Sequence, residues 1–395
     1  MSRVTIRLIR FAVIAVLLVG LIYHLFTSDN AYTAYYGALL KNAPIPGIKS
    51  QQTLEQALQQ PSELNTESTY VKANATFVTL ARNQEIWDMI ESIRAIEDRF
   101  NHKYKYDWVF LNDEEFDDRF KELTSKLISG NTYYEVIPHE HWSYPEWIDQ
   151  TKAKEAREKM RKARIAYGGS ESYRHMCRYE SGFFWRHPFL NKYKYYWRVE
   201  PSIKIFCDIN YDVFKYMEDH KLRYGFIISL YEYRGTIPTL WDTTVKFIKE
   251  NPELLAKDNL MEFISKNGGK DYNLCHFWSN FEVADMDFWR EEAYSKYFDY
   301  LDHQGGFFYE RWGDAPVHTI GASLFLNKSE VHHFDDIGYK HDPVNSCPTL
   351  KKWRMDNKCV CNPDDHFAWQ SYSCVPRFYK VAGLEIPVDT NRTKS

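Results

Sequence analysis

From residue 75 onward the sequence alternates between strand-like and helix-like hydrophobic patterns, and this alternation restricts the possible folds most strongly. Ala75 to Leu80 is a β-branched run typical of a strand. The segment after it places apolar residues on one helical face: Ile86, Met89, Ile90, Ile93, Ile96 and Phe100. The strands "YDWVFLND" and "YYEVIP" then enclose a second helix predicted over Glu114–Lys126. This order predicts an α/β fold with parallel strands.

Parallel sheets bind ligands at the carboxyl ends of their strands, which directs attention to two polar pairs. Arg82-Asn83 follows the first predicted strand, and Asn112-Asp113 follows the second. No GxGxxG or GxxxxGK[ST] motif is present, so the sequence supports neither a Rossmann dinucleotide site nor a P-loop. Further on, "SYRHMCRYESGFFWRHP" predicts a helix, while "YYWRVEP" and "YGFIISL" each predict a strand.

The N-terminus predicts a membrane anchor. Arg3, Arg7 and Arg10 precede the uncharged apolar run 11–26, which favours a cytosolic tail at 1–10 and a translocated body. A cleaved signal peptide is the alternative, but no clear small-residue cleavage site follows Phe26. Residues 27–72 are polar and lack apolar periodicity, which is typical of a stem, and leave 73–395 as one folded domain.

Cysteines and sequons agree with a lumenal body. Four of the seven cysteines lie in the last fifty residues, which favours disulfides over a zinc site. The odd count leaves at least one thiol unpaired or bonded to another chain, and we expect Cys177 to be buried and free. Asn74, Asn327 and Asn391 begin glycosylation sequons. The net charge of −4 argues against a nucleic-acid partner.

Four polar residues in apolar or turn-rich surroundings are candidates for chemistry. Glu200 ends an apolar strand and is either a metal ligand or a partner of Arg198 or Lys204. Glu282 lies among aromatic residues in "YNLCHFWSNFEVADMDFWR", where it either faces a pocket or is a satisfied core carboxylate. His341 lies in a polar loop, and Asp314 shares a predicted helix face with His318.

A set of motifs carries a resemblance to a known family. The segments "TLARNQE", "SIRAIEDRFNHKYKYDWVFLNDEEF", "SYRHMCRYESGFFWRHP", "YYWRVEP", "CDINYDVF", "YNLCHFWSNFE", "FFYERWGDAPVHTI" and "FDDIGYKHDP" occur in this order across roughly 73–376. Together they resemble the fungal α-1,2-mannosyltransferases, which are type II Golgi enzymes.

The resemblance implies a GT-A-like mixed sheet flanked by helices in a single lumenal domain. It implies transfer of mannose from GDP-mannose to O-linked and N-linked glycans of mannosylated glycoproteins, with Mn²⁺ as cofactor. By motif, Glu282 matches the proposed catalytic nucleophile, while Glu200 and His341 match the metal ligands. Tyr173 matches a donor contact.

Further donor and acceptor contacts follow from position around these motifs. Arg82, Arg174 and Asp113 are candidates for the donor site, and Asp314 is a candidate for the acceptor site. The residue two places after Glu200 is Ser202, so the aspartate-x-aspartate metal motif of the wider superfamily lacks its second carboxylate here. One carboxylate and one imidazole favour Mn²⁺ over Mg²⁺.

Three other functions compete with this interpretation. A mannosylphosphate transferase of the same family would attack at phosphorus rather than at the anomeric carbon. A lumenal glycoside hydrolase would use Glu200 and Glu282 as a carboxylate pair. A glycan-binding protein without activity would need only the aromatic surroundings.

Overall fold

The fold is taken from a computed structural model that describes residues 70–388. Its strands are β1 Ala75–Leu80, β2 Asp107–Asn112, β3 Thr132–Val136, β4 Tyr195–Val199, β5 Lys204–Ile205, β6 Tyr224–Phe226, β7 Ser229–Tyr231, β8 Cys275–Phe277, β9 Phe281–Asp285, β10 Val331–His333, β11 Tyr339–His341 and β12 Val344–Ser346. Its α-helices are α1 Ile86–Ile96, α2 His102–Tyr104, α3 Asp118–Ser125, α4 Gln150–Lys162, α5 Glu171–Gly182, α6 Val213–Asp219, α7 Leu240–Glu250, α8 Met261–Ile264, α9 Met286–Arg290, α10 Glu292–Gln304, α11 Gly306–Tyr309, α12 Asp314–Phe325, α13 Lys351–Asp356 and α14 Val375–Ala382.

A seven-stranded mixed sheet forms the centre of the domain, in the order β10-β6-β9-β4-β1-β2-β3. Strands β4, β1, β2 and β3 are parallel to their neighbours in this part of the sheet, as the strand–helix alternation predicts. Strand β9 is inserted antiparallel between β4 and β6. The predicted α/β fold with a mixed sheet is therefore confirmed.

Successive residues of the central strands enter two separate cores on opposite faces of the sheet. On β4, Tyr196 packs in one core and Trp197 in the other. Helices α5 and α12 contact each other on the Tyr196 face. Because side chains alternate along a strand, Arg198 lies on that same face as Tyr196.

Local boundaries differ from the predictions where side-chain hydrogen bonds intervene. Helix α3 begins at Asp118 rather than at residue 114, because the Asp117 side chain accepts a hydrogen bond from the Phe120 N–H and caps the helix. The segment "YGFIISL" forms two strands rather than one: β6 joins the central sheet, and β7 pairs with β8 in a separate ribbon.

Three disulfides connect the C-terminal segment to the domain and to itself. They join Cys207 to Cys359, Cys275 to Cys374 and Cys347 to Cys361. All seven cysteines lie within the described residues, and Cys177 is the buried free thiol. Both predictions about the cysteines are thus confirmed.

The predicted tail, membrane anchor and residues 27–69 of the stem lie outside the described residues, as does the sequon at Asn391. Within 70–388, none of the helices combines the length and the apolar character needed to cross a bilayer. The sequence had predicted a single-pass protein of the Golgi membrane. This finding contradicts that localisation, and we do not retain it. Asn74 and Asn327 are exposed, and their glycosylation stays a prediction.

Candidate active site

Two adjoining cavities lie at the carboxyl ends of the parallel strands. The first, of about 310 Å³, is lined by residues at the ends of β1, β2 and β4, among them Arg82, Asp113 and Glu200. The second, of about 430 Å³, is lined by residues that include Glu200, Asp314 and His341. Five residues line both cavities: Tyr167, Tyr173, Met176, Arg198 and Glu200. Two molecules bound in these cavities would meet at this shared wall.

Glu200 and His341 come together at the shared wall although 141 positions separate them in sequence. The Glu200 Oε2 atom lies 3.8 Å from the His341 Nε2 atom, and each side chain is about a quarter exposed, at 28% and 27%. His341 is the last residue of β11. Strand β11 pairs with β5, which begins four residues after Glu200, and this pairing brings His341 close to Glu200. Its Nδ1 atom is buried without a hydrogen-bond partner among residues 70–388. The two side chains present one oxygen and one nitrogen to the same space.

Ser202 cannot add a ligand to this pair. Its backbone has a φ of 64°, a left-handed conformation that a serine rarely adopts. Its hydroxyl donates to Asp88 Oδ1 at 2.9 Å, and its N–H donates to the Asp88 carbonyl at 3.1 Å. Both contacts turn the residue towards helix α1.

Arg198 is the central cation of the shared wall. Its guanidinium donates to Asp314 Oδ2 at 2.6 Å and to Glu200 Oε1, and it lies 3.7 Å from the Glu180 carboxylate. Burial works against a charged guanidinium, but these carboxylates outweigh it and raise the pKa of Arg198 further. Arg198 therefore stays charged and fixes the side chain of Glu200.

Two buried carboxylates beside Arg198 differ in charge state. Burial raises the pKa of Glu180 to about 7 even though Arg198 opposes this effect. Burial acts in the same direction on Asp314, but Arg198 and His318 outweigh it, so the pKa of Asp314 is lowered. Asp314 also accepts a hydrogen bond from the Ser279 hydroxyl at 2.7 Å. At neutral pH Asp314 is ionised, whereas Glu180 is partly protonated.

Glu282 lies beneath the cavities and lines neither of them. It occupies β9 directly opposite Arg198 on β4, and its side chain is fully buried. Three donors surround its carboxylate: the Tyr224 hydroxyl at 2.8 Å, His318 Nδ1 at 2.8 Å and the Tyr196 hydroxyl. The expected pocket wall around Glu282 is instead a hydrogen-bonded core, and of the nearby aromatic residues Trp278 lines the second cavity.

His318 connects Glu282 to the rest of the network from helix α12. Its Nε2 atom contacts the Glu180 carbonyl at 3.0 Å, which fixes the ring between α5 and β9. Burial alone would lower the pKa of His318, but the Glu282 carboxylate more than compensates and raises it. The contact with Glu282 thus favours the protonated form of His318.

The other predicted contacts fall into two groups. Tyr173 lines both cavities, with its ring stacked on that of Tyr167 at 4.5 Å, and Arg82 and Asp113 are exposed in the first cavity. Arg174 lies elsewhere: it is fully buried and donates to the carbonyls of Glu310 and Ser170. Burial lowers the pKa of Arg174 to about 10. We correct its predicted donor contact, because its donors serve the packing of α5.

Sequence reasoning gave the pairing of Arg198 with Glu200 as one alternative, and the structure confirms that contact. It missed the contact of Arg198 with Asp314 and the roles of Glu180 and His318. A signal existed for two of them, because Arg198 interrupts the apolar strand "YYWRV" and His318 interrupts the apolar helix "APVHTIGASLF". A charged residue that is buried in a regular element requires a partner, and the partners here come from distant segments.

Comparison with known proteins identifies the family. The family model described as glycolipid 2-alpha-mannosyltransferase matches residues 29–383. Glycolipid 2-alpha-mannosyltransferase 2 of Candida albicans is 62% identical over 316 residues, covering 80% of this chain and 68% of the relative. Alpha-1,2 mannosyltransferase KTR1 of Saccharomyces cerevisiae is 60% identical, covering 80% of each chain.

Solved structures agree with this assignment. Core-mannan synthase A from Aspergillus fumigatus, in its Mn/GDP form, is 42% identical with a TM-score of 0.75, over 80% of this chain and 87% of that one. The mannosyltransferase Ktr4p from S. cerevisiae in complex with GDP is 38% identical with the same TM-score, over 80% and 83%. The predicted GT-A-like fold and the resemblance are both confirmed, and the chain is a mannosyltransferase that belongs to the glycolipid 2-alpha-mannosyltransferase family.

Proposed function

We propose that this chain transfers mannose from GDP-mannose to a mannose-terminated glycan, forms an α-1,2 linkage and retains the α configuration. The observation that carries the proposal is the pair of cavities that share Tyr173, Arg198 and Glu200. A transferase must bring two substrates together at one point, whereas a glycan-binding protein needs one cavity. The α-1,2 linkage is in the name of a relative, and GDP is bound in two related structures.

The first cavity suits the donor. It opens at the carboxyl ends of β1, β2 and β4, where α/β sheets bind nucleotides. Arg82 is exposed there and would contact the diphosphate, while Asp113 would accept hydrogen bonds from sugar hydroxyls. Tyr173 at the shared wall would position the mannose.

Glu200 and His341 fit a divalent metal. Their facing atoms are 3.8 Å apart, and His341 Nδ1 has no hydrogen-bond partner in the described part of the chain, so no hydrogen bond holds the imidazole in another role. A carboxylate oxygen with an imidazole nitrogen suits Mn²⁺ better than Mg²⁺. Mn²⁺ held by these two side chains would neutralise the charge of the departing diphosphate.

The second cavity suits the acceptor. Asp314 lies at its wall, ionised and fixed by Arg198 and Ser279, and would accept a hydrogen bond from the acceptor sugar. The acceptors that fit the family are mannose-terminated O-linked and N-linked glycans of glycoproteins. Occupation of this cavity by the acceptor would also exclude water from the shared wall and so limit hydrolysis of the donor.

The burial of Glu282 favours a same-face reaction over a covalent intermediate. A nucleophile must contact the anomeric carbon, but three donors enclose this carboxylate and it lines neither cavity. In the same-face route the bond from the anomeric carbon to the diphosphate breaks, the acceptor oxygen bonds to that carbon, and its proton passes to the departing phosphate oxygen. Glu282 would then act electrostatically rather than by forming a bond, together with Glu200 and Asp314, to stabilise the cationic sugar.

The test uses the full chain with GDP-mannose and methyl α-mannoside, in Mn²⁺, in Mg²⁺ and with a chelator. We expect a Mn²⁺-dependent disaccharide that an α-1,2-specific mannosidase digests. A product that carries an added negative charge would show mannosylphosphate transfer instead. GDP binding without transfer to this or any longer mannoside would contradict the proposed activity.

A further inference from the structure

Three tyrosines form an exposed aromatic group at the second cavity, away from its junction with the first. Tyr231 ends β7 and is half-buried, while Tyr233 and Tyr372 are 61% and 53% exposed. All three line the second cavity, and none lines the first. Large aromatic side chains at a cavity that remain open to solvent are available to a ligand.

The group is held in place by bonds that join two distant parts of the chain. The Tyr372 hydroxyl donates to the Tyr231 carbonyl at 3.2 Å, and the two rings meet edge to face at 5.6 Å. The Cys374 N–H donates to the Ser229 carbonyl at 2.9 Å, and Cys374 is joined to Cys275 of β8. A ligand that contacts these rings would lose little free energy to ordering them.

The same cavity has unused hydrogen-bonding capacity. Asn280 lines it and is only 5% exposed, yet neither its amide nitrogen nor its amide oxygen has a hydrogen-bond partner within 70–388. Buried amides in proteins are nearly always paired, so this one is suited to a ligand with hydroxyl groups. Burial lowers the pKa of His276, which also lines the cavity, so its ring is neutral at pH 7.

Together these features favour a ligand that has both hydroxyl groups for the amide and an apolar face for the tyrosine rings. A pyranose matches this description, because its hydroxyls exchange hydrogen bonds and its C–H faces pack against the negative face of an aromatic ring. The reacting sugar has to lie at the wall shared with the donor cavity, near Glu200 and Asp314. The tyrosines lie outside that wall, where the next sugar of a longer acceptor would extend.

We propose that Tyr231, Tyr233 and Tyr372 form a subsite for the second mannose of an oligomannoside acceptor, so that the chain prefers acceptors longer than one sugar. This proposal rests on the proposed function and specifies its acceptor class.

The test compares two acceptors, methyl α-mannoside and methyl 2-O-α-mannosyl-α-mannoside, with the full chain and its Y372A, Y233A and Y372F variants. We expect the wild type to have a lower KM for the disaccharide. Tyr372→Ala should raise that KM about 5- to 10-fold and leave the KM for the monosaccharide unchanged. Tyr372→Phe keeps the ring and should retain the preference. Trp87→Ala, which removes another exposed aromatic ring outside both cavities, is the matched control.

If Tyr372→Ala disturbs folding, Tyr233→Ala provides the test instead. Tyr233 is the more exposed of the two residues, and its loss should also raise the KM for the disaccharide. Equal effects on both acceptors, or none on either, would overturn the subsite. Calorimetric titration of the disaccharide in the presence of GDP gives a readout independent of turnover. If the wild type transfers to neither acceptor, the proposed function fails, yet weaker disaccharide binding by Tyr372→Ala would still support the subsite and equal binding would refute it.

Discussion

The buried imidazole of His318 lies 2.8 Å from the carboxylate of Glu282, although neither side chain reaches the cavities above them. Both are fully inaccessible to solvent, and Glu282 lies directly opposite Arg198 in the sheet. Glu282 is among the carboxylates that raise the pKa of Arg198, so it interacts electrostatically with the shared wall through the low-dielectric interior.

Glu282→Gln tests this electrostatic role. The amide keeps the shape of the side chain but cannot carry a negative charge. Its NH₂ group would face one of the three groups that now donate hydrogen bonds to the Glu282 carboxylate, so that hydrogen bond would be lost. We expect kcat to fall about 100- to 1,000-fold. GDP affinity, measured by calorimetry, should stay unchanged because Glu282 lines neither cavity. Turnover equal to that of the wild type would refute the role, and unchanged circular dichroism would exclude misfolding as the cause of a loss.

Glu200→Ala and His341→Ala test the proposed metal pair. Each should weaken the binding of GDP in Mn²⁺ about 10- to 100-fold, and GDP affinity with chelator should change little. Lys340→Ala is the matched control, because Lys340 precedes His341 on β11 and forms an ion pair with Asp342 instead. Mn²⁺ dependence that persists in both alanine variants would place the metal elsewhere.

Stability should fall as pH rises through neutrality, because of Glu180. Its pKa is raised to about 7 in the folded chain, so the folded state binds more protons than the unfolded state between about pH 5 and 7. The stabilisation is present in full below the unfolded pKa and is lost as pH rises through 7, by about 3 kcal/mol at most. The raised pKa of His318 acts in the same direction.

Urea unfolding of the wild type and Glu180→Gln at pH 5, 6, 7 and 8 measures this effect. The variant should lose most of the dependence on pH and keep the part that His318 contributes. An identical pH dependence in both proteins would show that Glu180 is ionised throughout.

The disulfides should differ in their contribution to stability. Cys275–Cys374 spans 99 positions and Cys347–Cys361 spans 14. In the chain-entropy account, loss of the first costs about 4 to 5 kcal/mol and loss of the second about 3 kcal/mol. Paired alanine substitutions and urea unfolding compare them directly. Equal losses would show that contacts around each bridge, rather than chain entropy, set its contribution.

The sequence predicted the fold best where local pattern decides it. Strand β1 is observed over Ala75–Leu80 as predicted, because β-branched and aromatic residues, which favour strands, make up most of it. The polar pairs after the first two strands also predicted that Arg82 and Asp113 lie at the edge where ligands bind, since parallel strands end at one edge of a sheet. Both residues line the first cavity. Where a single side chain decides a boundary, as Asp117 does for α3, hydrophobic periodicity carried no information.

The surroundings of Glu282 could not be predicted in the same way. Its partners Tyr196, Tyr224 and His318 lie 86, 58 and 36 positions away, and only the sheet order brings them together. Aromatic neighbours in sequence suggested a pocket wall, but alternation along β9 directs Phe281 and Glu282 to opposite faces of the sheet. The position of a carboxylate relative to a cavity is a property of tertiary structure.

The two cavities depend differently on oxidation of the chain. Every residue that lines the first lies between Leu80 and Pro201, before the first half-cystine at Cys207. The second is also lined by His341 and Tyr372, which belong to the C-terminal part of the chain that the three disulfides secure. A thiol-reduced chain should therefore keep the walls of the first cavity, whereas the second cavity and the contact of His341 with Glu200 should lose their support.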